Sequence, residues 1–263
     1  MEKRCVDALT GDLAAASSWR KTELTKLAGK FDFQYRKMSQ RDPANPAKTV
    51  DRYQYIKGAI IGDRAKISAL DKRAIYLLTY SHWEGYVKQA IQIYLSSLAY
   101  VTFDEVEFHP KVVKRIVLAR LEEHRDQVEK KVDLSADLLR GLGHTLLDGR
   151  DGGMLEIRGG EKRSLSNTGS NLRFDVLKKL LTKLDLETPE FFYRNKEIID
   201  RMVDIRNGIA HGDAGFRRGD LPGELPDGLP KTIEFVKESF LELQQALIEK
   251  AEVTFQSKGG VTW

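Results

Sequence analysis

Apolar positions along the chain fall into long stretches at helical spacing, separated by polar breaks rich in glycine and proline. Residues 3–40 read as a helix: Asp12-Leu-Ala-Ala-Ala is a strong former, and Trp19, Leu24, Leu27, Phe31 and Phe33 give a loose apolar face. Pro43 and Pro46 break it. Tyr53, Tyr55, Ile56, Ile60 and Ile61 follow, and the nearby Gly58 and Gly62 leave their secondary structure open. The next helix starts at Ser68 or Asp71 and carries Ile75, Leu78, Trp83, Val87, Ile91, Tyr94, Leu95 and Leu98 to Ala99. Its length and apolarity mark the central helix of a bundle.

Pro110 suits the first position of a helix from Lys111 to about Val132, followed by a shorter piece from Leu134 to Leu147. Residues 148–170 then turn glycine-rich and polar, and Met154–Arg158 could be one strand of a hairpin there. Asn171 is placed to cap an amphipathic helix with Leu172, Val176, Leu177, Leu180, Leu181 and Leu184 inward and lysines outward. Thr188 and Pro189 predict the start of a helix that Gly212 stops just after His211. The loop that follows carries Arg217 and Arg218, and Pro230 opens the last helix, with Ile233, Val236, Phe240, Leu243 and Leu247 on one side. The expectation is an all-α bundle with a glycine-rich insertion, in one domain over residues 1–263. Its parts are N-terminal helices (1–105), a helical insertion (106–187, including the loop at 148–170), and a last segment with motif helix, loop and C-terminal helix (188–256).

Composition narrows the function classes. With 263 residues, 41% hydrophobic, the chain can bury one good core or two small ones. A charged fraction of 31% and the lack of a long apolar run argue against a membrane protein, and the N-terminus lacks an apolar signal segment. A cytoplasmic protein is expected. The single Cys5 excludes an intramolecular disulfide and a cysteine-based zinc site, and the five histidines show no metal-binding spacing, so neither a metal nor another cofactor is expected. Net charge is only +4, but seven Lys/Arg against two acids between Arg158 and Lys183 make that segment +5, so the rest sums to −1. Lys162, Arg163, Lys178 and Lys179 in it, with Arg217 and Arg218, are candidate polyanion contacts; a merely solvated basic surface fits them as well.

The sharpest chemical signal lies in the helix ending at Gly212. At roughly 100° per residue, Ile198, Ile199, Met202, Val203, Ile205, Ile209 and Ala210 share one arc, and Arg206 falls near its middle. A guanidinium there needs a partner, a water-filled cleft or another subunit, since an unpaired buried charge is too unfavourable to persist. Asn207 and His211, four apart, stack at the edge of the arc beside it. Taken singly, His211 could be a C-terminal cap, Arg206 a structural ion pair and Asn207 a solvated residue. Together they bring charge, amide and imidazole to one helix end.

Arg206-Asn207-Gly208-Ile209-Ala210-His211 resembles the Arg-x4–6-His signature of the HEPN superfamily, with the polar residue after the arginine that its ribonuclease members favour. Tyr80-Ser81-His82-Trp83-Glu84-Gly85-Tyr86-Val87 resembles an early helix of one bacterial branch. The resemblance covers roughly residues 70–100 and 188–256. It implies an α-helical homodimer whose two motifs face each other and cleave RNA, tRNA or mRNA, without metal. Such proteins are usually toxins or antiviral effectors, held in check by an antitoxin or regulatory partner. Within it, Arg206, Asn207 and His211 are the expected catalytic residues. Glu84 and His82 are supporting candidates, Glu84 by reaching across to hold Arg206 or simply by pairing with Lys88. Some members are modified on a tyrosine two residues past the histidine, where this chain has Asp213. The alternative is a non-catalytic module that binds RNA or protein.

Overall fold

The computed structural model describes residues 2–29, 35–42, 45–55, 69–98, 162–163, 165–216, 221 and 228–256. Its elements in chain order are helix α1 (Glu2–Gly29), strands β1 (Tyr35–Asp42) and β2 (Asn45–Tyr55), and helix α2 (Ala69–Leu98). Helices α3 (Phe174–Lys183), α4 (Glu190–Arg194) and α5 (Lys196–His211) follow, then a 3₁₀ turn (Ala214–Phe216) and helix α6 (Gly228–Gln256). The expected helices from Lys111 to Leu147 and the expected strand at Met154–Arg158 lie outside the described residues.

The fold is all-α in its framework, with one two-stranded antiparallel ribbon, and the ribbon corrects the expected helix over 3–40. Helix α1 ends at Gly29, and β1 pairs with β2 from Tyr35↔Tyr55 to Arg41↔Thr49. The ladder then shifts so that Asp42 faces Asn45. Pro46 sits next to that irregular pair, where a residue without an N–H is tolerated in a strand. Val50, Tyr53 and Tyr55 suit a strand better than a helix. Phe31 and Phe33, read as a continuation of the α1 face, lie past the glycine that ends it.

The buried face of α1 matches the expected one only in part, at Leu24 and the half-buried Leu27. Leu9, Leu13, Ala16 and Leu24 are buried, whereas Trp19 is 50% exposed. Helix α2 agrees with its expected length of about eight turns, being 30 residues long, and Trp83, Tyr86, Val87, Ala90, Ile91 and Leu95 on it are fully buried.

Two compact units emerge, interleaved along the sequence. The first takes residues 1–16, 85–190 and 241–263; the second takes 17–84 and 191–240. In the first, Leu172, Leu177, Leu180, Leu181 and Leu184 are buried as the spacing predicts and Phe174 joins them, while Val176, also expected inward, is half-buried. The helix starts later than expected: Arg173 rather than Asn171 is the N-cap, and no side chain caps it. A half-buried pair of Lys250 with Asp185 (3.1 Å) belongs to this unit. So do hydrogen bonds from Lys162 Nζ to Ser96 Oγ (2.8 Å) and from Gln92 Nε2 to Ser166 Oγ (3.0 Å).

The second unit is built on an aromatic cluster. Trp83 of α2 lies 5.9 Å from Phe192 and 5.7 Å from Phe235, and Phe191 stacks on Phe235 at 5.7 Å. Thr188-Pro-Glu-Phe-Phe therefore anchors the polypeptide just before the motif helix. The expected continuous helix from Thr188 to His211 is divided at Asn195: Asn195 N–H closes α4 on Phe191 O, and Asn195 is the N-cap of α5. The break lets α4 point Phe192 into the core while α5 takes its own course. Helix α6 begins at Gly228, two residues before Pro230, so the proline sits in its first turn, where the N–H it lacks would have no helical partner.

Because Trp83 is fully buried at the centre of this cluster, Trp83→Ala is expected to lower the unfolding free energy by roughly 3–5 kcal/mol, measured by urea denaturation followed by circular dichroism.

Candidate functional site

Helix α5 ends in a defined stop. Gly212 is left-handed (φ 69°, ψ 29°), its N–H donates to Ile209 O (3.1 Å), and Asp213 N–H donates to Gly208 O (3.0 Å). These two crossed bonds are the Schellman closure that a glycine after the last helical residue permits. His211 is thus the final residue of the helix, and it is exposed.

The turn that follows folds back on the helix. Phe216 packs so tightly on Gly208 that a Cβ at 208 would sit 2.2 Å from the Phe216 ring. Phe216 O in turn accepts a bond from Arg73 Nη1 of α2 (2.9 Å). The glycine inside the motif is therefore needed for close approach, a role its place between Asn207 and Ile209 did not reveal.

On the core side, Ile198, Ile199, Met202, Val203 and Ile205 are buried as expected, but Ile209 is half-buried and Ala210 is exposed. The apolar arc thus fades toward the helix end. Arg206 is half-buried. Its Cζ lies 5.2 Å from the centroid of the Tyr80 ring, and Nη1 donates to Asn207 Oδ1 (2.8 Å). Tyr80 itself is 2% exposed. Among the described residues no carboxylate, Glu84 included, comes within ion-pairing distance of Arg206. The guanidinium is held by an aromatic face and an amide, both neutral.

Two contacts orient α5 against α2. Arg206 meets Tyr80, while Phe216, ten residues further on, meets Arg73, seven residues back. Arg73, Tyr80 and Glu84, spaced seven and four apart, lie along one row of α2. Glu84 falls one turn beyond Tyr80 on the row against which Arg206 rests.

His82 goes elsewhere. Two residues past Tyr80, it projects about 160° around the helix, toward α1. Its Nε2 lies 3.0 Å from Glu23 Oε2, and its ring meets the edge of Trp19 at 5.4 Å. Arg20 covers the Trp19 ring at 4.3 Å. So His82 is not brought to Arg206. Burial holds its pKa below the ordinary 6.5; Glu23 opposes that shift through charge and hydrogen bond, and the Arg20 charge adds to it.

The basic residues predicted as RNA contacts divide as follows. Arg163, Lys178 and Lys179 are exposed, whereas Lys162 is half-buried and committed to Ser96. All four belong to the first unit and the motif to the second. Arg217 and Arg218 lie outside the described residues. One cationic pair escaped the sequence reading: Lys21, whose pKa is pushed down by burial and then by the nearby Lys237 charge. Tyr80 and Arg73 escaped it too, although Tyr80 opens the stretch quoted for its likeness. Nothing in a one-dimensional pattern says which face of α2 meets α5. Among the described residues no three His, Cys, Asp or Glu side chains are grouped to hold a metal ion, and no helix is long and apolar enough to cross a membrane.

The all-α framework is that of a HEPN-type helical bundle. A sequence model of the RiboL-PSP-HEPN family matches residues 53–238, and the chain belongs to that family. Neither a curated protein nor a solved structure matches it.

Two outcomes are expected from this geometry. Gly208→Ala should cost about 1–3 kcal/mol through overpacking against Phe216, with much of the loss recovered in the Gly208→Ala/Phe216→Ala double variant, both read by thermal unfolding. His82 is neutral in the folded chain, and its depressed pKa means that protonation opposes folding. Its stabilising contribution is therefore complete above pH 6.5 and declines as pH falls below it. Unfolding free energies between pH 7.5 and 5.5 should show a decline that flattens in His82→Gln.

Proposed function

We propose that the protein is a metal-independent endoribonuclease, acting as a homodimer at a site assembled from two copies of the α5 end. The observation that carries this reading is the state of Arg206: a half-buried guanidinium whose partners are a neutral ring and a neutral amide, five residues before an exposed histidine. A structural arginine in such a place is normally neutralised by a carboxylate. One held, among the described residues, without an anion and next to solvent suits a phosphate.

The chemistry follows from those groups. Removal of the ribose 2′-OH proton lets that oxygen attack the adjacent phosphorus; the P–O5′ bond breaks and the 5′-oxygen takes a proton, leaving a 2′,3′-cyclic phosphate. The reaction needs a base, an acid and a cation for the charge that builds on phosphorus. His211 serves the proton transfers, since an imidazole ring can both accept and donate a proton. Arg206 binds the scissile phosphate. Asn207 accepts from Arg206 and fixes its plane. One copy supplies a single histidine and arginine, too few for the task, and two-fold association doubles both. Glu84, one turn from Tyr80, adds negative potential at the back of the site rather than a bond to Arg206.

Arg163, Lys178, Lys179, Lys21, Lys237, Arg217 and Arg218 serve as backbone contacts, with Lys162 contributing charge from its fixed position. A toxin or antiviral effector in the cytoplasm, restrained by a regulatory partner, is the setting that suits such an activity. The exposed lysines and arginines equally suit a non-catalytic RNA-binding module, and turnover separates the two.

With purified protein and total RNA or isolated tRNA, His211→Ala should lower the cleavage rate by about 10²–10⁴-fold with the fold unchanged. Arg206→Ala should lower it comparably, and EDTA should leave it unaltered. Wild-type-like cutting by the His211 variant would end the assignment, strong EDTA inhibition would point to a metal enzyme, and binding without cutting would favour the module.

A further inference from the structure

Arginines that receive phosphate face a conflict. The side chain is long and must be held in one place to be useful, yet the usual device for holding it, a carboxylate, neutralises the charge and competes with the ligand. In this chain Glu84 lies on the same row of α2, but the group set beneath Arg206 is the ring of Tyr80.

We propose that Tyr80 is the positioning residue for Arg206. Its buried ring holds the guanidinium by a cation–π contact while leaving the charge unspent for a phosphodiester. The inference rests on the reading of Arg206 as a phosphate ligand. Three observations carry it. The ring is 2% exposed, so it is fixed by the core and offers a rigid platform. The Cζ–centroid distance of 5.2 Å lies within the range over which a cation is drawn to an aromatic face. Among the described residues the guanidinium makes a single hydrogen bond, from Nη1 to Asn207 Oδ1, so most of its five N–H groups remain for a ligand.

The position of the ring follows from α2. Arg73, seven residues earlier on the same row, holds Phe216 O, and Phe216 closes on Gly208. The helix end is thereby tied to α2 at two points, with Arg206 resting on one of them. Tyr80 touches no reacting atom in this scheme; it acts through the arginine.

The test varies the ring without changing its shape. Tyr80→Phe keeps the aromatic face, Tyr80→Leu removes it, and phenylalanines carrying increasing numbers of ring fluorines at position 80 weaken the face at nearly constant volume. Each is made in the wild-type and Arg206→Ala backgrounds. Two quantities are read: the Arg206 Nε–H signal by NMR, and the affinity for a short single-stranded RNA with 2′-O-methyl riboses, which binds but cannot be cut.

Tyr80→Phe should bind within about twofold of wild type. Tyr80→Leu should lose about tenfold, fluorination should weaken binding progressively, and none of these changes should matter once Arg206 is alanine. The Arg206 signal should stand apart from the bulk arginine signals in wild type and Tyr80→Phe and move toward them as the face is weakened. Equal losses in both backgrounds, or a fluorine series with no trend in either readout, would overturn the proposal. Should wild type neither bind nor cut RNA while the Arg206 signal still tracks the ring, the positioning role stands and the ribonuclease reading falls.

Discussion

A positive charge kept at a half-buried helix end, with no anion beside it among the described residues, is the constraint to which the rest of the site is fitted. Full burial of Arg206 would demand a carboxylate, and full exposure would leave the side chain mobile and screened. The apolar arc of α5 fades at Ile209 and Ala210, which leaves Arg206 between core and solvent. Tyr80 and Asn207 supply neutral attraction. The result is a cation that the fold tolerates and that an incoming phosphate would complete.

Holding that charge in place requires the end of α5 to be rigid, and the rigidity has two sources. One is local: Gly212 closes the helix with crossed hydrogen bonds, which also makes His211 its last residue. The other is tertiary. Phe216 seats on the bare Cα of Gly208, and its carbonyl is held by Arg73 from a different helix. Behind both stands the aromatic cluster of Trp83, Phe191, Phe192 and Phe235, which anchors the chain on either side of α5. Fold stability and site geometry therefore draw on neighbouring residues of α2, Trp83 for the one and Arg73 and Tyr80 for the other. His82, one position from Trp83, ties the other flank of that helix to α1 through Glu23.

Segments with strong periodicity and local stop signals were legible. Helix α2, the inward leucines of α3 and the end of α5 at Gly212 all follow from spacing and from the glycine. Segments whose outcome depends on competition were not. The region from Gly29 to Tyr55 carries apolar residues compatible with a helical face, yet cross-strand pairing of Tyr35–Arg41 with Thr49–Tyr55 prevailed once Gly29 had ended α1. Asn195 looked like the interior of one helix because nothing local forbids it; the demand of Phe192 for the core divides the chain there. Trp19 looked like a core residue and is half open to solvent, its inner contacts being Arg20 and His82.

What the sequence determined alone was the set of chemical groups and their one-dimensional order: the helical framework, the residues of the motif, and the turn at which the motif helix ends. Those are consequences of covalent spacing, helix pitch and the special freedom of glycine. What the tertiary structure decided was which neighbours those groups meet. It set Arg206 on Tyr80 and not on Glu84, sent His82 to Glu23, and revealed Gly208 as the seat of Phe216. Pairings of that kind depend on the rotation and direction of one helix against another, and such angles are set by the packing of whole surfaces, not by any short run of residues.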